Sequence, residues 1–210
     1  MTSPGLRERK RQRTRDALTD AAYALFERKG FDATTVDEIA GAVEVSPRTF
    51  FRYFTSKEDV ALAPADEQLT RMVQTLADWK PDDPVITALK GSVVDVVTAC
   101  ESDGAEVDRA RYRRLQALLL ESPALMAACR QQGNARLEEV ARLVGLRMGV
   151  EPAADPRPYL VASIALCAVQ TAADAWQQHR PGATGSELLA EMFDLLAADL
   201  NYPAHGRRRS

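Results

Sequence analysis

The chain has 210 residues, of which 46% are hydrophobic and 27% are charged, as in ordinary folded proteins with one or two domains. Its net charge of -3 excludes a protein that is strongly basic throughout, so any affinity for nucleic acid must be local. Residues 1–57 carry 11 Lys and Arg against 8 Asp and Glu, which leaves a net charge of -6 for the remainder. The basic residues are densest from Arg7 to Arg15, which indicates either a polyanion partner or a solvated tail.

Cysteine and histidine, which build many catalytic and metal sites, are few and scattered in this chain. The three cysteines lie far apart and the two histidines lie near the C-terminus, so no spacing suits a metal ion or a catalytic group. We therefore expect no metal, no cofactor and no enzyme activity. No apolar run follows the basic N-terminus and no stretch of about 18 apolar residues occurs, so we expect neither a signal peptide nor a membrane partner.

Helical periodicity dominates from the N-terminus onwards, and strand patterns are nearly absent. Apolar residues at three- and four-residue spacing predict a first helix over about residues 14–29, which ends before Gly30. Thr35 and Glu38 form a capping box for a short helix over 36–43. Ser46 as the N-cap and Pro47 at the first helical position begin a third helix that ends near Phe54.

The remaining chain predicts a larger helical bundle. Ser56 caps a fourth helix that Pro64 should interrupt between Ala61 and Pro64. Further helices are predicted over 85–102, 108–120, 124–146, 159–178 and 186–200. The fold class is therefore all-α, with about nine helices. The predicted domains are a flexible basic arm at 1–13, a DNA-binding domain at 14–56, an effector-binding and dimerisation domain at 57–202, and a flexible basic tail at 203–210.

The second and third helices have the spacing of a helix-turn-helix motif. Phe50 and Phe54 are four residues apart, so both should face the core, whereas Arg48 and Thr49 lie in the first turn, which meets base edges in such motifs. Arginine can donate two hydrogen bonds to guanine, and the threonine methyl group can contact thymine. Tyr53 and Lys57 are suited to phosphate.

Several short motifs over residues 14–62 together resemble the DNA-binding domain of the TetR family of transcriptional regulators. They are Ala22-x-x-Leu25-Phe26-x-x-x-Gly30-Phe31, Thr34-Thr35-Val36-x-x-Ile39-Ala40, Val45-Ser46-x-x-Thr49-Phe50-Phe51-x-Tyr53-Phe54 and Ser56-Lys57-Glu58. By family position, the resemblance implies DNA contacts at Thr35, Pro47, Arg48, Thr49, Phe51, Tyr53 and Lys57. The family usually has tyrosine where this chain has Phe51, which can offer only van der Waals contact.

The resemblance also implies the behaviour of the whole protein. It implies a cytoplasmic, nucleoid-associated homodimer that represses transcription from a palindromic double-stranded DNA operator until a small-molecule effector releases it. The dimer would form through the last two long helices, 159–178 and 186–200. Arg113-Arg114-Leu115 and the motif from Ser122 to Leu125 further resemble actinobacterial members to which acyl-CoA-like ligands are ascribed. The residues that bind the effector are not predicted. Two alternatives are an all-helical enzyme, for which no catalytic spacing occurs, and a helical adaptor that binds protein and uses its basic arm for RNA or membrane.

Overall fold

The computed structural model describes residues 5–80, 83–102, 106–178 and 182–198, and helices account for most of them. No strand occurs within these ranges, so the predicted all-α fold is confirmed. The described helices are α1 (Leu6–Lys29), α2 (Val36–Ala42), α3 (Pro47–Phe50), α4 (Lys57–Ala61), α5 (Ala63–Asp78), α6 (Val85–Glu101), α7 (Glu106–Glu121), α8 (Pro123–Ala135), α9 (Leu137–Met148), α10 (Arg157–Gln178) and α11 (Gly185–Ala197).

Three helix boundaries differ from the predicted ones. Helix α1 begins at Leu6 rather than near Thr14, so residues 6–13 of the predicted flexible arm are helical. The predicted helix over 124–146 is two helices, α8 and α9, with Arg136 between them. Helix α3 ends at Phe50, and tight turns continue its path, because Arg52 and Tyr53 donate to the carbonyls three residues back at 3.2 and 2.8 Å.

The predicted interruption between Ala61 and Pro64 is confirmed, since α4 ends at Ala61 and α5 begins at Ala63. The domain boundaries predicted after residues 13, 56 and 202 remain predictions, and the first of them falls inside α1. The tail at 203–210 lies outside the described residues.

The chain divides into two compact units, each built from two separate stretches of sequence. Unit 1 comprises Met1–Thr70 and Asp103–Gln132, and unit 2 comprises Arg71–Ser102 and Gly133–Ser210. In unit 1, α1 packs on α2 and α4, and α2 packs on α3. In unit 2, α10 packs on α9 and α11, and α11 also packs on α6.

The core of unit 1 joins the predicted DNA-binding helices to α7 and α8. Leu115, Leu118, Leu119 and Leu125 are at most 6% exposed and belong to the same buried cluster as Leu18 of α1. Burial of such side chains contributes about 1.5–3 kcal/mol each. The first three helices therefore share one hydrophobic core with residues that lie far along the sequence.

Ion pairs between α7 and α1 also join these two helices of unit 1. The guanidinium of Arg111 donates to both carboxylate oxygens of Asp20, at 3.1 and 3.2 Å, and lies 3.5 Å from Asp16. Arg114 pairs with Glu27 at 2.9 Å. Arginine suits such paired contacts because its guanidinium is planar and presents two parallel N–H groups to a carboxylate.

A buried tyrosine connects α1 to the junction of α4 and α5. The hydroxyl of Tyr23 donates to the carbonyl of Ala61 at 2.6 Å, and its ring packs edge-on against Phe26. Burial raises the pKa of the Tyr23 phenol, and the nearby Cys129 raises it further. The neutral phenol therefore holds α1 against the last residue of α4.

Helix α10 is apolar, yet little of it is buried. Its residues Arg157–Trp176 have a mean hydropathy of 1.3, and 22% of the stretch is buried. By length and composition alone, this stretch could cross a membrane. It is the one such helix in the part of the chain that the structure describes.

Candidate DNA interface

Helices α2 and α3 both begin at the caps that the sequence predicts. The Thr35 hydroxyl accepts from the Glu38 amide at 3.3 Å, and the Glu38 carboxylate accepts from the Thr35 amide at 2.9 Å. Ser46 accepts from the amide of Thr49 at 3.1 Å to begin α3. Between the helices, Glu44 has a φ of 56°, a left-handed conformation that is uncommon for residues other than glycine.

The capping box also carries an ion pair that fixes α2 to the end of α1. The Lys29 ammonium donates to the Glu38 carboxylate at 2.5 Å. This hydrogen bond, with those from Thr35, lowers the pKa of Glu38 from 4.5 to about 2. Glu38 therefore stays ionised well into acid, where the capping box still holds the N-terminus of α2.

The recognition segment, which we define as residues 46–57, has the two faces that the spacing predicts. Phe50 and Phe54 are 0% and 1% exposed and join the buried cluster of unit 1, so their predicted inward position is confirmed. Pro47 and Arg48 are exposed on the other side. Phe51 is 56% exposed, with its ring edge-on to Phe50 at 5.5 Å. Its side chain is therefore available to an external partner.

Two residues expected to contact DNA are engaged within the protein as well. The Thr49 hydroxyl lies 3.0 Å from that of Ser46. The Lys57 ammonium donates to the carbonyls of Phe31 and Asp32 at 2.7 and 3.3 Å, and it lies 4.3 Å from the Phe31 ring centroid. In this position the Lys57 side chain joins α4 to the loop after α1. The contacts of Lys57 and Thr35 with phosphate remain predictions.

Tyr53 lies where the recognition segment meets α1. Its hydroxyl accepts a hydrogen bond from Arg52 at 3.4 Å, and the Arg52 guanidinium lies 5.3 Å from the Tyr53 ring centroid. The bond from Arg52 lowers the pKa of the Tyr53 phenol, with help from Thr14 and from the charge of Arg11. Tyr53 is thus set among cations, which suits a group that approaches phosphate.

Two arginines beyond the predicted set contribute to this surface. Arg15 donates to the Tyr53 carbonyl at 3.3 Å and lies 4.5 Å from the Phe54 ring centroid, so it braces the recognition segment. Arg52 lines an open groove with residues of α1. The dense run of basic residues from Arg7 to Arg15 is the sequence pattern that predicts positive charge on this surface. The bond from Arg15 to Tyr53 spans 38 residues, and no local pattern predicts it.

Two family models match the chain, one over the helix-turn-helix and one over the C-terminal part. Residues 18–63 match the family model described as bacterial regulatory proteins, tetR family, and residues 83–201 match the MftR C-terminal domain. The chain belongs to the TetR family. The resemblance inferred from the sequence motifs is therefore confirmed, as is the arrangement of an N-terminal helix-turn-helix with a helical C-terminal part.

The relatives are transcriptional regulators. The chain is 36% identical over 162 residues to the regulator TcmR of Streptomyces glaucescens, covering 77% of this chain and 72% of that protein. It is 27% identical over 193 residues to the putative mycofactocin biosynthesis regulator MftR of Mycobacterium tuberculosis, covering 92% and 94% of the two chains. TetR-family membership and these relatives support a DNA-binding regulator.

Solved structures share the fold at low sequence identity. SmeT, the repressor of a multidrug efflux pump of Stenotrophomonas maltophilia, aligns with a TM-score of 0.57 at 17% identity, covering 93% of this chain and 96% of that chain. The fatty acid degradation regulator FadR of Bacillus halodurans aligns with a TM-score of 0.56 at 18% identity, covering 96% and 100%. These likenesses concern the fold alone.

Proposed function

We propose that the protein is a homodimeric repressor that binds a near-palindromic DNA operator and leaves it when a small molecule binds. The observation that carries the proposal is the outward face of the recognition segment, where Arg48 and Phe51 are exposed while Phe50 and Phe54 are held in the core. A short helix fixed in this way can enter the major groove with its first turn against base edges.

Within this proposal the predicted contacts divide into two kinds. Arg48 and Thr49 read bases, with Pro47 and Phe51 offering apolar contact beside them. Tyr53, Thr35 and Lys57 face phosphates, which set position and salt dependence rather than sequence preference. The protein acts in the cytoplasm on chromosomal DNA.

The apolar face of α10 supports the homodimer through α10 and α11. Tyr159, Leu160 and Ile164 are 37%, 60% and 37% exposed, and Cys167 continues the same face one turn further on. A second copy that covers this face would pair it with itself about a two-fold axis. Two recognition segments would then meet half-sites about one helical turn apart, ~34–36 Å, or a multiple or somewhat more.

The effector of the proposed repressor is a small molecule. SmeT, which shares the fold with a TM-score of 0.58 at 19% identity, has been solved as a complex with triclosan. A small molecule can shift this protein off DNA only by binding more tightly to the conformer with unsuitable half-site spacing. The acyl-CoA-like class suggested by the sequence is one candidate chemistry.

Selection of duplexes from random oligonucleotides, followed by fluorescence anisotropy, tests the proposal. The selected duplex should be palindromic and should bind more tightly than a scrambled duplex at the same salt concentration. Arg48→Ala should weaken binding to the selected duplex by about 1–3 kcal/mol and relax preference at one base pair. Arg142→Ala, which removes an exposed arginine from α9 of unit 2, is the matched control. Equal affinity of the protein for selected and scrambled duplexes would instead favour the protein-binding adaptor.

A further inference from the structure

The cations in the first two turns of α1 lie on two different faces of the helix. Arg7, Lys10, Arg11 and Thr14 are spaced by three and four residues, which places them on one side of a helix with 3.6 residues per turn. Arg9 and Arg13 are also four residues apart, but they lie on a face rotated well away from the first. The basic run is therefore a helix with a defined cationic face, which a flexible arm would lack.

That cationic face borders the recognition segment across an open groove of about 780 Å³. The groove is lined by Arg7, Lys10, Arg11, Thr14, Val45, Thr49, Arg52 and Tyr53. Four of these side chains are cations, three carry hydroxyls and none is a carboxylate. Such a lining suits a polyanion whose charges follow one another along a line.

The position of the cationic face relative to the recognition segment is fixed. Helix α1 runs without a break from Leu6 to Lys29, so its first turns share the orientation of the part buried in the core. Arg15 then ties the helix to the recognition segment through the Tyr53 carbonyl and the Phe54 ring. Both walls of the groove thus belong to one braced piece of unit 1.

The cations in the first turns of α1 lie at the end of the helix where positive charge is unfavourable. Arg7, Arg9 and Lys10 lie near the positive end of the helix dipole, and Gly5 at the N-cap supplies no side-chain hydrogen bond. Like charges four residues apart, such as Arg7 and Arg11, also repel each other. An anion held along this face would relieve both effects.

The cationic face of α1 is long enough to contact more than one phosphate of a DNA strand. Arg7 and Arg11 are separated by about 6 Å along the helix axis, at 1.5 Å per residue. Phosphates on one strand succeed each other every ~3.4 Å along the duplex axis. The face from Arg7 to Thr14 is about 10 Å long, so it can span about three phosphates where α1 runs along that axis. An acidic peptide shares the charge, but Thr49 and Tyr53 in the opposite wall belong to the recognition segment and favour DNA.

We infer that the first two turns of α1 are a second DNA-binding element, which holds the phosphates of one strand against the recognition segment through Arg7, Lys10 and Arg11. The inference rests on the proposed DNA-binding function. It assigns these residues to sequence-independent affinity, since phosphate contacts carry no base information.

The test compares two double variants that remove the same charge from the same helix. Lys10→Gln with Arg11→Gln changes the groove face, and Arg9→Gln with Arg13→Gln changes the other face. Binding of full-length protein to a selected duplex and to a scrambled duplex is measured by fluorescence anisotropy over a series of KCl concentrations. The groove-face variant should flatten the log–log salt slope by about 0.9 for each phosphate that it no longer neutralises, on both duplexes alike. The other variant should keep the wild-type slope.

Each other outcome rejects the inference. Equally flattened slopes in the two variants would mean that the basic run acts as unstructured charge. Wild-type slopes in both would mean that it does not touch DNA. In a parallel titration of each protein with poly-glutamate, loss of binding by the groove-face variant, with DNA binding intact, would assign the face to an acidic protein partner. These results differ from failure of the proposed function, in which the wild-type protein itself would not prefer the selected duplex to the scrambled one.

Discussion

Replacement of Tyr23 by phenylalanine isolates the hydrogen bond between α1 and the end of α4. The Tyr23 ring is 2% exposed, and its hydroxyl donates to the Ala61 carbonyl at 2.6 Å. Phenylalanine keeps the ring and its packing but leaves the carbonyl without this donor in an apolar setting. We expect the free energy of unfolding near neutral pH to fall by about 1–2 kcal/mol.

The same residue gives a pH signature whose sign follows from burial. Burial raises the pKa of the Tyr23 phenol above its ordinary value of 10. In the unfolded chain the phenol ionises above about pH 10, whereas in the folded protein it stays neutral. Its contribution to stability is therefore complete below pH 10 and is lost as the pH rises, by up to about 1.4 kcal/mol per pH unit. Phenylalanine has no such dependence.

Urea unfolding followed by far-ultraviolet circular dichroism measures both effects, with the two proteins at equal concentration because an oligomer's stability depends on it. The gap in unfolding free energy between wild type and Tyr23→Phe should be about 1.4 kcal/mol smaller at about pH 11 than at neutral pH. The subtraction removes the titration of groups that both proteins share. A gap that does not change with pH would refute the reasoning, as would a variant as stable as wild type at neutral pH.

Two further predictions concern the α10 face and the α2 cap. Leu160→Glu with Ile164→Glu should shift the proposed dimer to monomer in sedimentation equilibrium. Leu146→Glu, at a 66% exposed leucine of α9, should leave the proposed dimer intact. A dimer that survives the double change would place the interface elsewhere. The bond from Lys29 lowers the pKa of Glu38 to about 2. The ionised Glu38 carboxylate therefore stabilises the fold fully above pH 4.5, and this contribution is lost as the pH falls towards 2. Glu38→Gln should therefore lose less stability than wild type across that interval in urea titrations, and parallel curves would count against the assignment.

The residue spacing predicts the faces of the recognition segment because helical geometry is local. Phe50 and Phe54 share a side at any position in a protein, and the caps at Thr35 and Ser46 depend on residues three positions apart. The side of Phe51 is not decided by spacing, because it lies three residues from the buried Phe54, and its 56% exposure in the fold shows that it faces outward. Local patterns thus predict the first residues and the faces of the small helices well.

Errors arise where charge or distant contacts decide the outcome. The run from Arg7 to Arg13 suggests a solvated tail, yet arginine and lysine are good helix formers and no glycine or proline interrupts the chain between Gly5 and Gly30. The bonds from Lys57 to the Phe31 and Asp32 carbonyls, and from Arg15 to the Tyr53 carbonyl, join residues 25 to 38 positions apart. Such contacts depend on tertiary packing, which the sequence pattern does not specify.

The interleaved core of unit 1 has a consequence for how the protein is made. The buried cluster around Leu18 is completed by Leu115, Leu118, Leu119 and Leu125, and the last of these lies well beyond the midpoint of the 210-residue chain. Helices α1 to α4 are synthesised first. The apolar surface that α7 and α8 cover remains exposed to solvent until those helices leave the ribosome. We therefore expect nascent chains to become competent for DNA binding only after α7 and α8 have been synthesised, so that a chain truncated before α7 does not bind DNA.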